Sequence, residues 1–211
     1  MKYITIALAK GRLSEYAISL FGSIGADTSE MLQKSRKLIF TDENMKLKFV
    51  LVKASDVPTY VEYGAADIGI VGKDTILEEA RSLYEMADLK VGNCDMCVCG
   101  LSREDYENKE HLRVATKYVN IAKDYFEKIK GRRIEIIKLN GSVELAPLVG
   151  LSDVNVDIVE SGKTLEENGL SVIEKIAPLS ARLVVNRVSI KVNKDRIMEI
   201  VNKLREKRAF V

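Results

Sequence analysis

Short apolar runs alternate along the chain with segments whose apolar positions repeat every three or four residues. Residues 4–8 have the pattern of a strand, and Leu13, Ala17, Leu20 and Phe21 follow at the spacing of one helix face. Similar pairs of a strand and a helix return in the second half of the sequence. Strands that alternate with helices predict an α/β fold with largely parallel sheets.

Turn residues place further elements. Two strands are expected on either side of a turn at residues 42–44. Pro147 lies in a short helical stretch, which should therefore be kinked or begin late. Asn120 is expected to cap a helix, and residues 183–190 predict a last long strand.

The length allows either one large domain or two smaller lobes, since the chain has 211 residues. We expect two lobes. The first would be formed by residues 1–92 with 179–211, and the second by residues 93–178.

Charge and composition argue against several classes of protein. The net charge is only +2, so no nucleic-acid partner is expected. No stretch approaches the apolar length of a membrane span, and residues 1–6 lead into a strand and do not resemble a signal peptide. Three cysteines do not make a disulfide framework, so a cytoplasmic location is expected.

Cys94, Cys97 and Cys99 have a spacing that allows a metal site. The only histidine is His111, and there is no second cysteine pair. The favoured interpretation is that these cysteines are small buried hydrophobic residues, with Cys97 and Cys99 on one face of a strand.

Residues 154–165 contain the first candidate binding site. An apolar alternation that ends at Ile158 predicts a strand, and residues 161–164 follow as a polar turn before a short helix. Free N–H groups at such a turn can bind an anion, and the carboxylates of Asp157 and Glu160 suit sugar hydroxyls. A phosphate beside a sugar indicates a phosphoribosyl group. The alternative is an ordinary turn closed by a Ser or Thr cap.

A second candidate anion site lies at Lys10-Gly11-Arg12, between the first strand and the first helix. Two cations would stand at the entrance of that helix. Arg36 and Lys53 are expected at strand ends, where their side chains could reach a cleft. The alternative is a surface turn whose charges are solvated.

Six motifs follow one another along nearly the whole chain. They are residues 8–13 (LAKGRL), 56–61 (DVPTYV), 64–74 (GAADIGIVGKD), 115–118 (ATKY), 141–147 (GSVELAP) and 157–165 (DIVESGKTL). In this order they resemble the short form of the ATP phosphoribosyltransferase family, whose members catalyse the first step of histidine biosynthesis. Three positions depart from the usual pattern: Lys53 and Lys163 replace arginine, and Asn155 replaces isoleucine or valine.

The resemblance implies an α/β fold of two lobes with a cleft, similar to the type II periplasmic-binding-protein fold. It implies that a phosphoribosyl group passes from phosphoribosyl pyrophosphate to N1 of ATP and that Mg²⁺ takes part. It also implies a cytoplasmic homodimer within a hetero-oligomer, whose regulatory subunit resembles histidyl-tRNA synthetase.

The resemblance also assigns roles to particular residues, without naming a metal ligand. Catalytic roles are expected for Arg36, Lys53 and Lys10. Binding of phosphoribosyl pyrophosphate is expected for Asp157, Glu160, Ser161, Gly162, Lys163 and Thr164. Binding of ATP is expected for Lys10, Gly11, Arg12, Asp74, Thr116 and Glu144.

Two other classes stay open from the sequence: a non-enzymatic solute-binding or sensing module, and a catalytically silent subunit. The sequence ends at Val211 soon after its last predicted helix. We therefore expect that histidine does not inhibit this chain alone and that sensitivity needs a regulatory partner.

Overall fold

The chain leaves its first unit after Gly92 and returns to it at Ser180. The computed structural model describes residues 2–33 and 36–207. Unit 1 holds the described residues of Met1–Gly92 and Ser180–Val211, and unit 2 is Asn93–Leu179. The lobe boundaries predicted from the sequence differ from this division only at Leu179.

The strands, in chain order, are β1 (Ile4–Ala9), β2 (Ile39–Asp42), β3 (Leu47–Val52), β4 (Ile68–Gly72), β5 (Tyr84–Asp88), β6 (Cys94–Gly100), β7 (Leu112–Thr116), β8 (Ile134–Lys138), β9 (Val154–Val159), β10 (Ser171–Leu179) and β11 (Ala181–Val185). The helices are α1 (Arg12–Ser23), α2 (Val57–Glu62), α3 (Lys73–Glu79), α4 (Arg103–Asn108), α5 (Val119–Lys123), α6 (Leu145–Leu148), α7 (Lys163–Glu167), α8 (Ser189–Val192) and α9 (Lys194–Lys207). Two 3₁₀ turns occupy Ser29–Leu32 and Ala54–Asp56, and a π-helical segment, Asp124–Ile129, continues α5.

Unit 1 is built on a six-stranded mixed sheet in the order β2-β3-β1-β4-β11-β5. Strands β3, β1 and β4 are parallel, so their carboxyl ends share one edge. One face of the sheet packs against α1 and α9, where Phe21 meets Phe49 edge to face at 5.1 Å. The other face packs against α2. Gly69 of β4 is required there, because a Cβ atom would lie 2.8 Å from the Val61 side chain.

Unit 2 is built on a five-stranded sheet in the order β10-β6-β9-β7-β8. The central strand β9 is parallel to β7 and antiparallel to β6. Side chains alternate along it: Val154 and Val156 enter the core formed with α5, while Asn155 and Asp157 point to the opposite face. That opposite face holds a small cluster of Cys97, Cys99, Leu165 and Leu170.

The predicted last long strand is wrong beyond Val185. Strand β11 ends there, and Ser189–Val192 forms α8. The reason is a local side-chain contact: the Asn186 side-chain oxygen accepts hydrogen bonds from the N–H groups of Val188 and Ser189, both at 2.8 Å. These bonds turn the backbone and override the apolar alternation of residues 188–190.

Other elements also differ from the sequence predictions. Helix α5 begins at Val119, so Asn120 lies inside the helix and is not its cap. Helix α4 was not predicted, although Ser102 caps it by accepting a hydrogen bond of 3.2 Å from Asp105 N. None of the helices in the described ranges combines the length and the apolar composition needed to cross a bilayer.

Candidate functional site

The polar turn after β9 has a backbone shape that suits glycine. Gly162 has φ = +77°, in the left-handed region, and no atom lies within 4 Å of where its Cβ would be. Glycine is therefore favoured by the backbone conformation and not by crowding. Residues 161–164 are largely exposed, and α7 begins at Lys163.

This turn forms one wall of a cavity of about 310 Å³ in unit 2. A volume of this size suits a small phosphorylated sugar. The carboxylates of Asp157, Glu160 and Glu144 contribute charge to the lining, while the turn contributes backbone N–H groups. The full lining is Cys99, Glu144, Asn155, Asp157, Ile158, Val159, Glu160, Ser161, Gly162, Lys163, Thr164 and Leu165.

The carboxylates of this cavity differ in how far they are buried. Asp157 is half-buried, and its Oδ1 accepts a hydrogen bond of 2.8 Å from Ile158 N. Glu160 is exposed at the point where the strand passes into the turn, and Glu144 is half-buried just before α6. The carboxylates and the turn thus present acceptors and donors to the same space.

The second candidate site lies at the carboxyl edge of β1 and β3 in unit 1. Lys10 N donates to Val52 O at 2.9 Å, which places Lys10 beside the end of the strand that Lys53 follows. Gly11 has φ = +113° and turns the chain into α1. Lys10, Arg12 and Lys53 are all exposed.

Arg36 lies at the same edge of the unit 1 sheet. Strand β2 runs antiparallel to β3, and Leu51 N donates to Leu38 O at 2.9 Å. Arg36 precedes Leu38 by two residues, so this register, if continued, would place it alongside Lys53. The exposed Arg36 thus joins a group of cations at one sheet edge.

Asp74 belongs to the same edge, at the start of α3 after β4. A Cβ atom on Gly72 would collide with Asp74 Oδ1, so the carboxylate rests against the glycine backbone. The half-buried Asp74 therefore needs glycine at position 72 to keep this place.

Thr116 is positioned differently from the other predicted site residues. It is fully buried, its hydroxyl donates to Val156 O at 2.7 Å, and it accepts from Tyr118 N at 2.8 Å. In this arrangement its side chain offers no surface to a ligand. The ATP-binding role of Thr116 stays a prediction.

The structure thus sorts the predicted residues into two groups and leaves Thr116 outside both. The cavity of unit 2 gathers Asp157, Glu160, Ser161, Gly162, Lys163, Thr164 and Glu144. The sheet edge of unit 1 gathers Lys10, Gly11, Arg12, Arg36, Lys53 and Asp74.

Sequence reasoning gave no role to Cys99 or Asn155, although both line the cavity. The sequence did contain a signal for Asn155, because a single asparagine stands between Val154 and Val156 in an otherwise apolar strand.

The cysteines lie where small apolar residues would. Cys97 and Cys99 are fully buried on one face of β6, and burial raises their thiol pKa values to about 11 and about 12. Both thiols are therefore protonated at neutral pH and are poor nucleophiles.

Comparison with known proteins agrees with this arrangement. Residues 53–206 match the family model described as HisG: ATP phosphoribosyltransferase. The ATP phosphoribosyltransferases of Lachnospira eligens and Lachnoclostridium phytofermentans are each 62% identical over 209 residues, which is 98% of this chain and 97% of each relative. This chain belongs to the ATP phosphoribosyltransferase family.

The fold agrees with that assignment. A solved structure titled ATP phosphoribosyl transferase (HisG:HisZ) complex from Thermotoga maritima contains a chain similar to this one. The TM-score is 0.84 and the identity 31%, with 99% of this chain and 100% of that chain covered. The α/β fold class, similar to the type II periplasmic-binding-protein fold, is confirmed.

The function predicted from the resemblance is confirmed at the level of the reaction. An ATP phosphoribosyltransferase is a transferase of histidine biosynthesis. It converts phosphoribosyl pyrophosphate and ATP to phosphoribosyl-ATP in the first step of that pathway. The binding-module and silent-subunit alternatives are accordingly set aside.

Proposed function

We propose that the cavity of unit 2 holds the phosphoribosyl group during this transfer. The 5′-phosphate would lie on residues 161–164 and the ribose hydroxyls against Asp157 and Glu160. The observation that carries the proposal is the left-handed Gly162 at the mouth of a cavity that also contains carboxylates. Lys163 and the hydroxyls of Ser161 and Thr164 would add donors for the phosphate oxygens.

The cationic edge of unit 1 is proposed to bind the polyphosphates. Lys10, Arg12, Arg36 and Lys53 are exposed there, and their charges suit ATP and the leaving pyrophosphate. Gly11 would let the backbone approach the ATP phosphates closely. The remaining ATP contacts are assigned to Asp74, Thr116 and Glu144, with Thr116 depending on a rearrangement of its buried hydroxyl.

The reaction needs positioning and charge stabilisation more than a protein nucleophile. N1 of ATP forms a bond to C1 of the ribose while the bond from C1 to pyrophosphate breaks, with inversion at C1. Pyrophosphate leaves with the electron pair of the broken bond. Positive charge therefore develops on the ribose and negative charge on the pyrophosphate, so carboxylates suit the former and Lys or Arg the latter.

Mg²⁺ is part of the proposal. Among the described residues, no group of three His, Cys, Asp or Glu side chains is placed to hold a metal ion by itself. Mg²⁺ commonly uses one or two carboxylates together with substrate phosphates, and Asp157 and Glu160 offer such oxygens. When bound, the ion would offset the negative charge of the pyrophosphate.

A regulatory partner is proposed as well. The similar solved structure is a HisG:HisZ complex by its title, and this supports a HisZ-like subunit for this chain. We propose that this subunit resembles histidyl-tRNA synthetase and that the enzyme is a homodimer within the hetero-oligomer. A cytoplasmic location completes the proposal, because ATP is abundant in that compartment.

The phosphate turn is tested by two matched glycine substitutions at the two ends of α7. Gly162 and Gly169 have φ = +77° and +70°, and at both positions the space that a Cβ would fill has no other atom within 4 Å. Gly162→Ala and Gly169→Ala should therefore strain the backbone similarly, by about 1 kcal/mol. Only Gly162 lines the cavity.

Calorimetric titration with phosphoribosyl pyrophosphate in Mg²⁺ buffer is the measurement. Gly162→Ala should weaken binding by at least about tenfold, because a displaced N–H group loses a charge-assisted hydrogen bond. Gly169→Ala should bind like the wild type. Equal losses in both variants, or none in either, would overturn the assignment of the phosphate to this turn.

Arg36 is proposed to act on the departing pyrophosphate. Arg36→Ala should then lower kcat and kcat/KM together, as expected for an interaction made mainly in the transition state. Arg133→Ala, which removes an exposed arginine of unit 2 outside the cavity, is the control and should retain both constants. A raised KM with unchanged kcat would make Arg36 a substrate-binding charge only.

The partner proposal is tested by titrating histidine against turnover. Inhibition should be weak with this chain alone and strong once a HisZ-like subunit is added, because that subunit would carry the second site. Strong inhibition of the isolated chain that does not compete with ATP would contradict this.

A further inference from the structure

Asn155 occupies an unusual place for a carboxamide. It lies in the central strand β9, paired with Cys99 of β6 on one side and Ala115 of β7 on the other. Its exposed fraction is 1%. On that face of the sheet lies the apolar cluster of Cys97, Cys99, Leu165 and Leu170.

The side chain of Asn155 makes no hydrogen bond to any residue that the structure describes. Both Nδ2 and Oδ1 are buried and unpaired. An asparagine carboxamide can donate two hydrogen bonds and accept two, so its whole bonding capacity is unused. Such burial is costly unless a partner from outside the chain completes it.

A partner could arrive through the cavity, since Asn155 belongs to the lining of the phosphoribosyl cavity. The two polar atoms have almost no accessible area in the ligand-free chain, so the carboxamide must turn to meet a ligand. The terminal torsion of asparagine is broad, which makes a rotation of this kind inexpensive.

The order of polar groups along β9 indicates which part of the ligand Asn155 meets. The phosphate turn begins after Glu160, Asp157 lies further back along the strand, and Asn155 lies about 7 Å beyond it on the same face. Along a ribose 5-phosphate the order from the phosphate is C5, C4, the 3-hydroxyl and the 2-hydroxyl. The deepest polar group in the cavity therefore faces the hydroxyl that is furthest from the phosphate.

We infer that the Asn155 carboxamide binds the ribose 2-hydroxyl and selects ribose over 2-deoxyribose, an inference that rests on the proposed phosphoribosyl site. A hydroxyl both donates and accepts, so it can use Oδ1 and Nδ2 together. Asp157 as a carboxylate only accepts. A site built to hydrogen-bond a hydroxyl rejects the analogue that lacks it, because the buried polar group is then left unpaired.

The inference is tested by calorimetric titration with ribose 5-phosphate and 2-deoxyribose 5-phosphate. The main variant is Asn155→Leu, which keeps the branched shape and removes both polar atoms. Asn155→Ala removes the same atoms in a smaller side chain and serves if the leucine does not fit. Ser152→Ala is the control, because Ser152 also has a buried unpaired Oγ but lies outside this cavity.

The wild type and Ser152→Ala should bind the ribose compound more tightly than the deoxyribose compound. The ratio of the two affinities, ribose compound over deoxyribose compound, should fall about tenfold in Asn155→Leu and Asn155→Ala, which is about 1.4 kcal/mol. The cause would be weaker binding of the ribose compound. Affinity for inorganic phosphate should stay unchanged. A ratio equal to that of the wild type in either folded Asn155 variant would overturn the inference.

Failure of the proposed site would look different. In that case ribose 5-phosphate and phosphoribosyl pyrophosphate would bind the wild type and Gly162→Ala equally well. If Gly162→Ala loses phosphoribosyl pyrophosphate while the Asn155 variants keep the wild-type ratio, the phosphate turn stands and only the role of Asn155 is wrong.

Discussion

Among the residues that the structure describes, two asparagines are almost fully buried, one in each unit, and their hydrogen bonding is opposite. Asn186 of unit 1 has an exposed fraction of 5% and four hydrogen bonds. Its Nδ2 donates to Val61 O and Glu62 O at 2.7 and 3.0 Å, and its Oδ1 accepts from Val188 N and Ser189 N.

Asn155 of unit 2 is buried even more deeply and has no partner among the described residues. An asparagine side chain thus links three elements by hydrogen bonds in unit 1, whereas in unit 2 it makes no hydrogen bond to a described residue. The difference shows that burial alone does not tell whether a polar residue serves the fold. Its hydrogen-bond partners do, and a missing set of partners beside a cavity indicates a ligand.

The largest effect is expected at Asn186. Asn186→Leu would remove four hydrogen bonds where α2, β11 and α8 meet, and of the four backbone groups only Val61 O would keep another partner, Gly64 N. The free energy of unfolding of unit 1 should fall by about 3 kcal/mol. This free energy can be measured by urea unfolding, with circular dichroism as the signal.

The matched variant is Asn155→Leu, measured under the same conditions. We expect the free energy of unfolding to fall in Asn186→Leu and to rise in Asn155→Leu. A loss in both variants would remove the contrast between the two asparagines, and it would mean that Asn155 also holds the fold together.

Asp153, two residues before Asn155, sharpens the comparison because it is fully partnered. Its carboxylate accepts from Arg113 N at 2.8 Å and Arg113 Nη2 at 2.9 Å, and pairs with Lys109 Nζ at 3.0 Å. Partial burial pushes the pKa of Asp153 upward, but the hydrogen bonds from Arg113 and Lys109 outweigh it and lower the pKa to about 2.

A folded pKa below the unfolded value means that Asp153 stabilises unit 2 above about pH 4 and that this contribution disappears as the pH falls toward 2. The contribution is about 2 kcal/mol at pH 7. Asp153→Asn should therefore be less stable than the wild type at pH 7, and the two should converge on acidification. Urea midpoints measured from pH 7 to pH 2.5 test this, and a constant difference across that range would contradict it.

The smallest effect is expected at Asn155 itself. Asn155→Leu should raise the stability of the ligand-free chain by about 1 kcal/mol, or about 2–4 °C in the unfolding temperature, because it removes unpaired polar atoms without changing the shape. Differential scanning calorimetry resolves such a shift. An unfolding temperature lower than that of the wild type would show that Asn155 has partners within the fold.

Local patterns made much of the fold predictable from the sequence. The strand, turn and helix of residues 154–165 were predicted correctly, since their apolar alternation and glycine act within a few residues. Strand β10 was not predicted. It contains Pro178 and pairs with β6 through two register shifts, so its side chains do not alternate regularly.

The candidate site was predictable only where it is continuous in sequence. The cavity residues between Asp157 and Thr164 are neighbours along the chain, so one motif identifies them all. Arg36 reaches the edge beside Lys53 through the register of β2 on β3, which no local pattern specifies. The sequence showed that Asn155 replaces the isoleucine or valine usual in the family. Its role depends on its hydrogen-bond partners, which only the three-dimensional structure shows.

Strand β11 has a consequence for the order in which the chain folds as it is synthesised. It lies between β4 and β5, so the sheet of unit 1 has a gap until residues 181–185 have left the ribosome. Unit 2 is one continuous segment and can close while that gap is still open. At typical rates of synthesis, the roughly 90 residues after β5 take about 5–20 s to make. During that interval β4 presents an unpaired edge with which other chains could pair.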